Sequence, residues 1–510
     1  MHNKRIYIPA LLLLILVMGS CKKFLTQNPL AEVAETQFFK SKYDVDASVS
    51  GMYRLFQYQM VGESQYKDRY HIWGEHRSDN FERFLSYTTN QVNEITLNGL
   101  TPDNEFASWT GLYNVIYRAN VNIRKVAGAA QYDSRVTQDV INKALAESHA
   151  MRAMAYFYIV RVWGDAPIWT EPFESLADSS QRSRESASKI IDEIILKDLE
   201  KAYSLTLKNQ TPTVWYIGEG AICALMADVY MWKKDYPNAI TWIQNLFKAK
   251  APTGKVYGGN VIGDLHPTAT WKQMFTSPAT SIESIWTLDW AFTASGCACM
   301  SISFTPNNKQ YIIDQGMWQN WFLPYQNTTP LPDIRVRQTH DVYANNRDRF
   351  IKYYATPANP TGQWTFATGA EEIPAYVTMY RLGDMYLLYA EALNGNNDLP
   401  GALKYLNFIR KRAGLTEYTA GDAAVATKEA MEDAILQERQ YELYGEGKRW
   451  FDLVRTNHVQ KVMDPVLKRR QLAAGSDQVG FPDLRKIVWP INRSVLNANK
   501  KLKQNAAYSD

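Results

Sequence analysis

Two stretches of this chain, 163 residues apart, carry one pattern: ADVYMWKKDYPNAITWIQNL (Ala227 to Leu246) and AEALNGNNDLPGALKYLNFI (Ala390 to Ile409) align without a gap. Ala227 falls on Ala390, Asp235 on Asp398, Pro237 on Pro400, Ala239 on Ala402 and Ile243 on Leu406. Each stretch reads as a helix hairpin. The first helix runs out in polar residues. The proline stands at or near the first turn of the second, where its missing N–H costs nothing, and the small alanines mark a close helix crossing. The copies lie too far apart for a simple solenoid, and two unrelated hairpins are the alternative reading.

Helical patterning extends well beyond the hairpins. From Gln37 to about Lys250 the chain reads as amphipathic helices broken by turn clusters such as GDAP (Gly164 to Pro167) and KNQTP (Lys208 to Pro212). Within AESHAMRAMAYFYIVRVWGDAPIW, the residues Ala146, Ala150, Ala153 and Phe157 recur at spacings of three and four, a stripe that lets a neighbouring helix approach closely. Between Ala251 and Tyr376 helical periodicity gives way to Pro, Gly, Thr, Asn and Trp, and long irregular stretches of this kind often carry function. There SIESIWTLDWAF alternates, placing Trp286, Leu288, Trp290 and Phe292 on one face of a strand that turns toward a core or forms a binding platform.

The N-terminus, MHNKRIYIPALLLLILVMGSC, sets Lys4 and Arg5 before an apolar run from Ile6 to Met18, then Gly19, Ser20 and Cys21. The run is shorter than the roughly 20 residues of a spanning helix and has the layout of a secretory leader. A cysteine directly after the small pair resembles a bacterial lipobox, which predicts acylation of Cys21 and a mature chain tethered by lipid. Cys223, Cys297 and Cys299 then remain, an odd number that rules out a dense disulfide framework; Cys297 and Cys299 could pair or bind metal, and small buried hydrophobes are the better reading. At 510 residues, 46% hydrophobic and 21% charged, the chain can bury one large core or two ordinary ones. A net charge of +4 gives no electrostatic argument for nucleic acid.

ERQYELYGEGKRWFDLVR (Glu438 to Arg455) reads as a helix, a break at Gly445 and Gly447, and a second helix from about Lys448. Glu438 and Glu442 stand one turn apart on one face, with Arg439, Arg449 and Arg455 placed to answer them. Two such carboxylates could act on a glycosidic bond, but a general acid needs a raised pKa, and neighbouring arginines hold acids ionised. An internal ion network is the better reading.

Taken together, RLGDMYLLYAEALN (Arg381 to Asn394), LNFIRKRAGL (Leu406 to Leu415), ERQYELYGEGKRWFDLVR and WPINRSVLNANKKLKQNAAY (Trp489 to Tyr508) resemble the successive C-terminal signatures of the SusD/RagB family of outer-membrane lipoproteins. CKKFLTQNP, WTGLYNVIYRANVNI (Trp109 to Ile123), AESHAMRAMAYFYIVRVWGDAPI (Ala146 to Ile168) and IILKDLEKA (Ile194 to Ala202) follow in the family's order. Two local departures are Lys22 and Lys23 directly after Cys21, where surface-routed members often carry acids, and WPIN and QNAAY in the terminal signature. The resemblance implies a mostly α, SusD-like fold in which tetratricopeptide-like hairpins support a loop-rich, partly β region. It implies this division of the chain: a leader over 1–20, an N-terminal helical half over 21–250, and a C-terminal half over 251–510. The latter comprises variable ligand loops at 251–376 and a helical signature region at 377–510, all in one compact unit. It further implies a surface-exposed outer-membrane lipoprotein, not an enzyme, that binds an oligosaccharide and delivers it to a SusC-like TonB-dependent transporter. Peptide cargo on the same fold, or an envelope scaffold without a ligand, are the alternatives.

A sugar presents C–H faces that stack on flat rings and hydroxyls that need directed partners, so its site combines exposed aromatics with polar side chains. Two stretches have that composition: WGEHRSDNFERF (Trp73 to Phe84) and MWQNWFLPYQN (Met317 to Asn327). The expected contacts are Arg77, Asp79, Asn80, Trp318 and Trp321, with Trp290 and Trp364 as outer candidates. His71 and His76 stand five apart, wrong for one helical face, and read as ordinary surface or packing histidines rather than ligands. No HExxH, GxSxG or GxxxxGK[ST] motif occurs, so neither a metal, a cofactor nor a nucleophile is expected.

Overall fold

The computed structural model describes residues 38–62, 67–85, 89–173, 181–291, 295, 300–301, 310–325, 333–341, 346–354 and 375–509. The leader, Cys21, Phe292, Cys297, Cys299 and Trp364 lie outside these residues.

The principal helices of the first half are α1 (Lys42–Gln57), α2 (Arg69–Gly74), α3 (Thr110–Lys125), α4 (Gln138–Trp163), α5 (Leu196–Leu205), α6 (Glu219–Trp232) and α7 (Tyr236–Lys248). Helix α4 is the central one. Thr137 caps its start by accepting the Val140 N–H, and Gly164, at φ 78°, ends it. Every residue from Ala150 to Trp163 is buried, because α1, α3 and α5 all pack on it and its sequence is apolar or small nearly all round. In the second half α8 (Leu382–Gly395), α9 (Leu399–Arg412), α10 (Lys428–Glu442), α11 (Arg449–Arg455) and α12 (Val459–Ala473) follow one another.

The sequence repeat is a structural repeat. Helices α6 and α7 form one hairpin and α8 and α9 the other, and α7 packs on α8 so that the two stack directly. Their turns match residue for residue: Lys234 and Asn397 both take positive φ (60° and 65°), and Asp235 and Asp398 both cap the second helix. Ala239, Ile243, Ala402 and Leu406 are fully buried at the crossings.

Among the described residues four short strands form two antiparallel pairs. β1 (Phe81–Arg83) lies against β3 (Tyr311–Ile313), and β2 (Ser284–Trp290) against β4 (Ala375–Arg381), which leads straight into α8. Every residue of β2 except Asp289 is buried. Its Trp286 stacks on Phe56 with ring centroids 5.7 Å apart. The core-facing reading of this strand is therefore correct, and a single apolar cluster joins residues of both halves. Cys223 sits in that cluster, where burial pushes its thiol pKa up.

The Glu438 segment is an ion network, with different partners from those its own sequence offers. Glu438 pairs with Arg335 (2.7 Å) and Arg410 (3.2 Å); Glu442 pairs with Arg381 and Arg412, both at 2.6 Å, and with Arg335 at 3.3 Å. The neighbouring arginines answer other acids: Arg439 holds Asp452 and Asp384, Arg449 holds Asp79, and Arg455 holds Glu391 and Asp452. Burial opposes the charge on both glutamates. At Glu442 the surrounding Arg412, Arg381 and Arg335 outweigh it and hold the pKa well below the usual range, whereas at Glu438 burial prevails and the pKa rises. Both side chains are buried, out of reach of a glycosidic bond. Gly447, at φ 67°, lets this turn pass under α2: a Cβ there would stand 2.9 Å from the Tyr70 ring and 3.0 Å from its carbonyl oxygen.

Candidate functional site

The polar stretch from Trp73 to Phe84 is docked on the Glu438 segment. Asp79 takes a two-pronged pair from Arg449 (2.8 and 3.0 Å) and a hydrogen bond from Gln440 at 2.8 Å. Asn80 donates to Glu75 at 2.7 Å and accepts from Gln440 at 2.9 Å, and Tyr444 donates to its carbonyl. Glu75, fully buried, is pushed up to about 7. Arg77 donates to the carbonyls of Ile487 (3.0 Å) and Lys486 (2.5 Å), and its guanidinium lies 4.2 Å from the Trp450 ring centre. The expectation that these three side chains face a ligand is thus revised: they staple an early segment to the C-terminal signature.

Trp290 and Trp321 are revised likewise, each being 1% exposed. Trp290 has Arg54 over its ring at 5.2 Å and Tyr58 stacked at 6.3 Å. Trp321 stacks on Tyr441 at 4.7 Å and donates its indole N–H to Asp333. Trp318, in the π-helical turn Trp318–Phe322, is half-buried against His340 with Gln319 and Asn320 exposed beside it. His71 and His76 are packing residues: His71 bonds Asp68 and the Gly445 carbonyl, and His76 stacks on Tyr311 at 3.5 Å.

An aromatic-lined cleft opens elsewhere, beside α3. Trp109, the buried residue that precedes this helix, half-buried Tyr113 and exposed Tyr117 stand four apart along one side of it. Opposite them runs the segment from Pro167 to Phe173, and the C-terminal tail closes the third side through Val495 and Leu502. The three walls enclose a cleft of about 590 Å³.

The second wall is held in place by a dense set of hydrogen bonds. Tyr113 donates to the Pro167 carbonyl at 2.6 Å, Tyr156 to the Trp169 carbonyl at 2.9 Å, and Asn120 to the carbonyls of Trp169 and Glu171, both at 3.2 Å. Arg152, anchored on Asp198 by two bonds of 2.7 Å, reaches Asn120 and the Thr170 carbonyl. Burial raises the Tyr113 pKa well above the ordinary phenol value, so this anchor stays a neutral donor. Arg182 covers one face of Trp169 at 3.8 Å and donates to the Ile168 carbonyl.

Into this rigid frame project the side chains free to meet a guest. Tyr117 is 41% exposed, Trp169 and Phe173 are half-buried, and Asn114, Thr110 and Glu171 are exposed around the mouth. Flat rings with amide, hydroxyl and carboxylate groups at their edges can stack on one face of a sugar and bond its hydroxyls. In the sequence this stretch stands out only as part of the family resemblance. The four-residue recurrence of Trp109, Tyr113 and Tyr117 was the signal that could have marked it.

Among the described residues no three His, Cys, Asp or Glu side chains converge as a metal site, and no helix is long and apolar enough to cross a membrane. The Ser301 hydroxyl lies 2.7 Å from His76 Nε2, but both are wholly buried, so the pair is enclosed rather than presented to a substrate.

Residues 306–508 match the SusD family model, and residues 23–231 match a model described as "Starch-binding associating with outer membrane". SusD-like protein P38 of Formosa agariphila is 27% identical, with 99% of each chain covered. A SusD-like protein of Bacteroides ovatus is 23% identical over 88% of this chain and 83% of its own. Of the solved structures, a SusD superfamily protein from Bacteroides vulgatus aligns with a TM-score of 0.71 at 18% identity, covering 92% of this chain and 100% of that one. A second Bacteroides vulgatus protein, described as a candidate sugar-binding protein, aligns at 0.68 with 20% identity over 91% and 98%. At these identities the structural likeness establishes the fold.

Proposed function

The chain belongs to the SusD/RagB family, and on that premise we propose that it is a non-enzymatic lipoprotein, anchored through Cys21 on the outer membrane and exposed at the cell surface, that binds oligosaccharide and passes it to a SusC-like TonB-dependent transporter. The observation that carries the binding part is the open cleft of about 590 Å³ with Tyr117, Trp169 and Phe173 on its walls. Its second wall is fixed by part-buried hydrogen bonds from Tyr113, Asn120, Arg152 and Tyr156, so little ordering cost falls on the binding step. The family model's starch-binding description and the sugar-binding description of one structural neighbour support the same ligand class. Anchoring and transfer rest on the lipobox at Gly19 to Cys21 and on the family's association with the outer membrane.

Electrophoresis of the chain from Lys22 onward through gels containing starch, xylan, mannan or β-glucan tests the reading. Retardation in at least one gel, relieved in Tyr117→Ala and Trp169→Ala, is the expected result. Unaltered mobility in every gel sinks it. Loss of palmitate incorporation in Cys21→Ser, with transport-barrel co-purification from the native membrane, tests the anchor and the partner.

A further inference from the structure

A second cavity, of about 420 Å³, opens between α1, α4 and the turn before α6. At its floor lies Glu147, only 3% exposed, with Oε2 lacking any hydrogen-bond partner and Oε1 at 3.9 Å from Lys143 Nζ. A buried carboxylate oxygen without a partner is uncommon and costly, because that atom loses water and gains nothing in exchange, even though Tyr53 donates a hydrogen bond to the same carboxylate. One wall is the ring of Tyr216, 40% exposed and held edge-on by Tyr53 at 5.1 Å. The rim carries Lys42 and Asp46, paired at 2.6 Å.

Charge selects the guest. Glu147 and Asp46 repel an anion, while Lys42 and Lys143 at the mouth repel a cation. A neutral guest that donates hydrogen bonds inward and offers an apolar face sideways satisfies every wall. We propose that this cavity is a second saccharide site, taking one neutral pyranose unit whose adjacent hydroxyls donate to the Glu147 carboxylate and whose C–H face lies on Tyr216. The proposal rests on the glycan-binding reading above and adds a place and a proton to it.

The proton follows from the same geometry. The titratable and charged groups facing Glu147 are Lys143 on its own helix, Lys42, Asp46 and Tyr53 on α1, and Tyr216 on the turn. Burial pushes Glu147 up to about 7, against the lowering effect of Lys143 and of the hydrogen bond from Tyr53. Hydroxyl donors favour the ionised carboxylate. Binding near neutrality therefore expels a proton, and affinity rises as pH rises through 7.

Calorimetric titration of the detergent-solubilised full chain with maltoheptaose, cellohexaose and xylohexaose, in buffers of different ionisation heat, measures this. The expected result is release of about half a proton at pH 7 and a roughly tenfold tightening between pH 6 and 8. Both vanish in the isosteric Glu147→Gln, the same event weakens several-fold in Tyr216→Ala, and it persists in Tyr117→Ala. Saccharide binding that releases no proton and is unchanged in Glu147→Gln and Tyr216→Ala overturns this site and leaves the glycan reading standing. Absence of heat with all three probes overturns both.

Discussion

Replacing Glu442 by glutamine removes one charge from a buried cluster in which Arg335, Arg381, Arg410, Arg412 and Lys352 face Glu283, Asp333, Glu438, Glu442 and Glu446, five cations against five anions. Glutamine keeps the volume but leaves the cluster with an uncompensated positive charge, and Arg381 and Arg412 lose ion pairs of 2.6 Å. Breaking a buried pair from one side costs about 3–5 kcal/mol. The entropy of unfolding is about 2 cal/mol/K per residue, hence about 1 kcal/mol/K for this chain, so the melting temperature should fall by about 3–5 °C. Glu417→Gln, in the exposed pair with Lys411, should move it by less than about 1 °C. Acid supplies a second readout. Buried Glu442 is held below its unfolded value of about 4.3 by Arg412, Arg381 and Arg335, so its contribution is complete above that value and is lost as pH falls through the lower folded one. Scanning calorimetry from pH 7 down to pH 3 should show the gap between the two proteins narrowing. Equal melting temperatures at pH 7, or a gap that stays constant into acid, would refute an ionised Glu442 as the centre of the network.

Further outcomes follow from other parts of the molecule. Tyr117→Ala removes an exposed stacking face worth about 1 kcal/mol, so polysaccharide affinity should drop about five- to tenfold in affinity gels while the melting temperature holds. Asp79→Asn breaks the two-pronged pair with Arg449 and should cost about 1–3 kcal/mol in urea unfolding, with saccharide affinity of the folded protein unaltered. Gly447→Ala forces a side chain into positive φ and against Tyr70; a loss of about 2–4 kcal/mol by the same measurement is expected.

Arg77, Asp79, Asn80, Trp290 and Trp321, expected from the sequence as ligand contacts, are engaged within the chain itself. Asp79 and Asn80 are polar because Arg449, Gln440 and Tyr444, some 360 to 370 positions away, need partners of that kind. Trp290 and Trp321 are large and flat because they fill an interior that also takes Arg54 and Tyr441 against their faces. One-dimensional composition cannot separate a polar group that waits for a ligand from one already satisfied by the chain itself. Likewise the acids Glu438 and Glu442 were legible as members of an ion network, but their partners came from Arg335, Arg381, Arg410 and Arg412.

Local order did lie in the sequence. Periodicity, caps and turn residues act within a few positions, which is why the matched hairpins at Asp235 and Asp398 and the central helix ending at Gly164 could be read directly. The spacing that puts Trp109, Tyr113 and Tyr117 on one face of α3 is local information too. That the stripe meets a pinned wall at Trp169 and a tail at Leu502, leaving a cleft between them, depends on contacts spanning nearly 400 residues, and only packing in three dimensions decides which of those surfaces stays open.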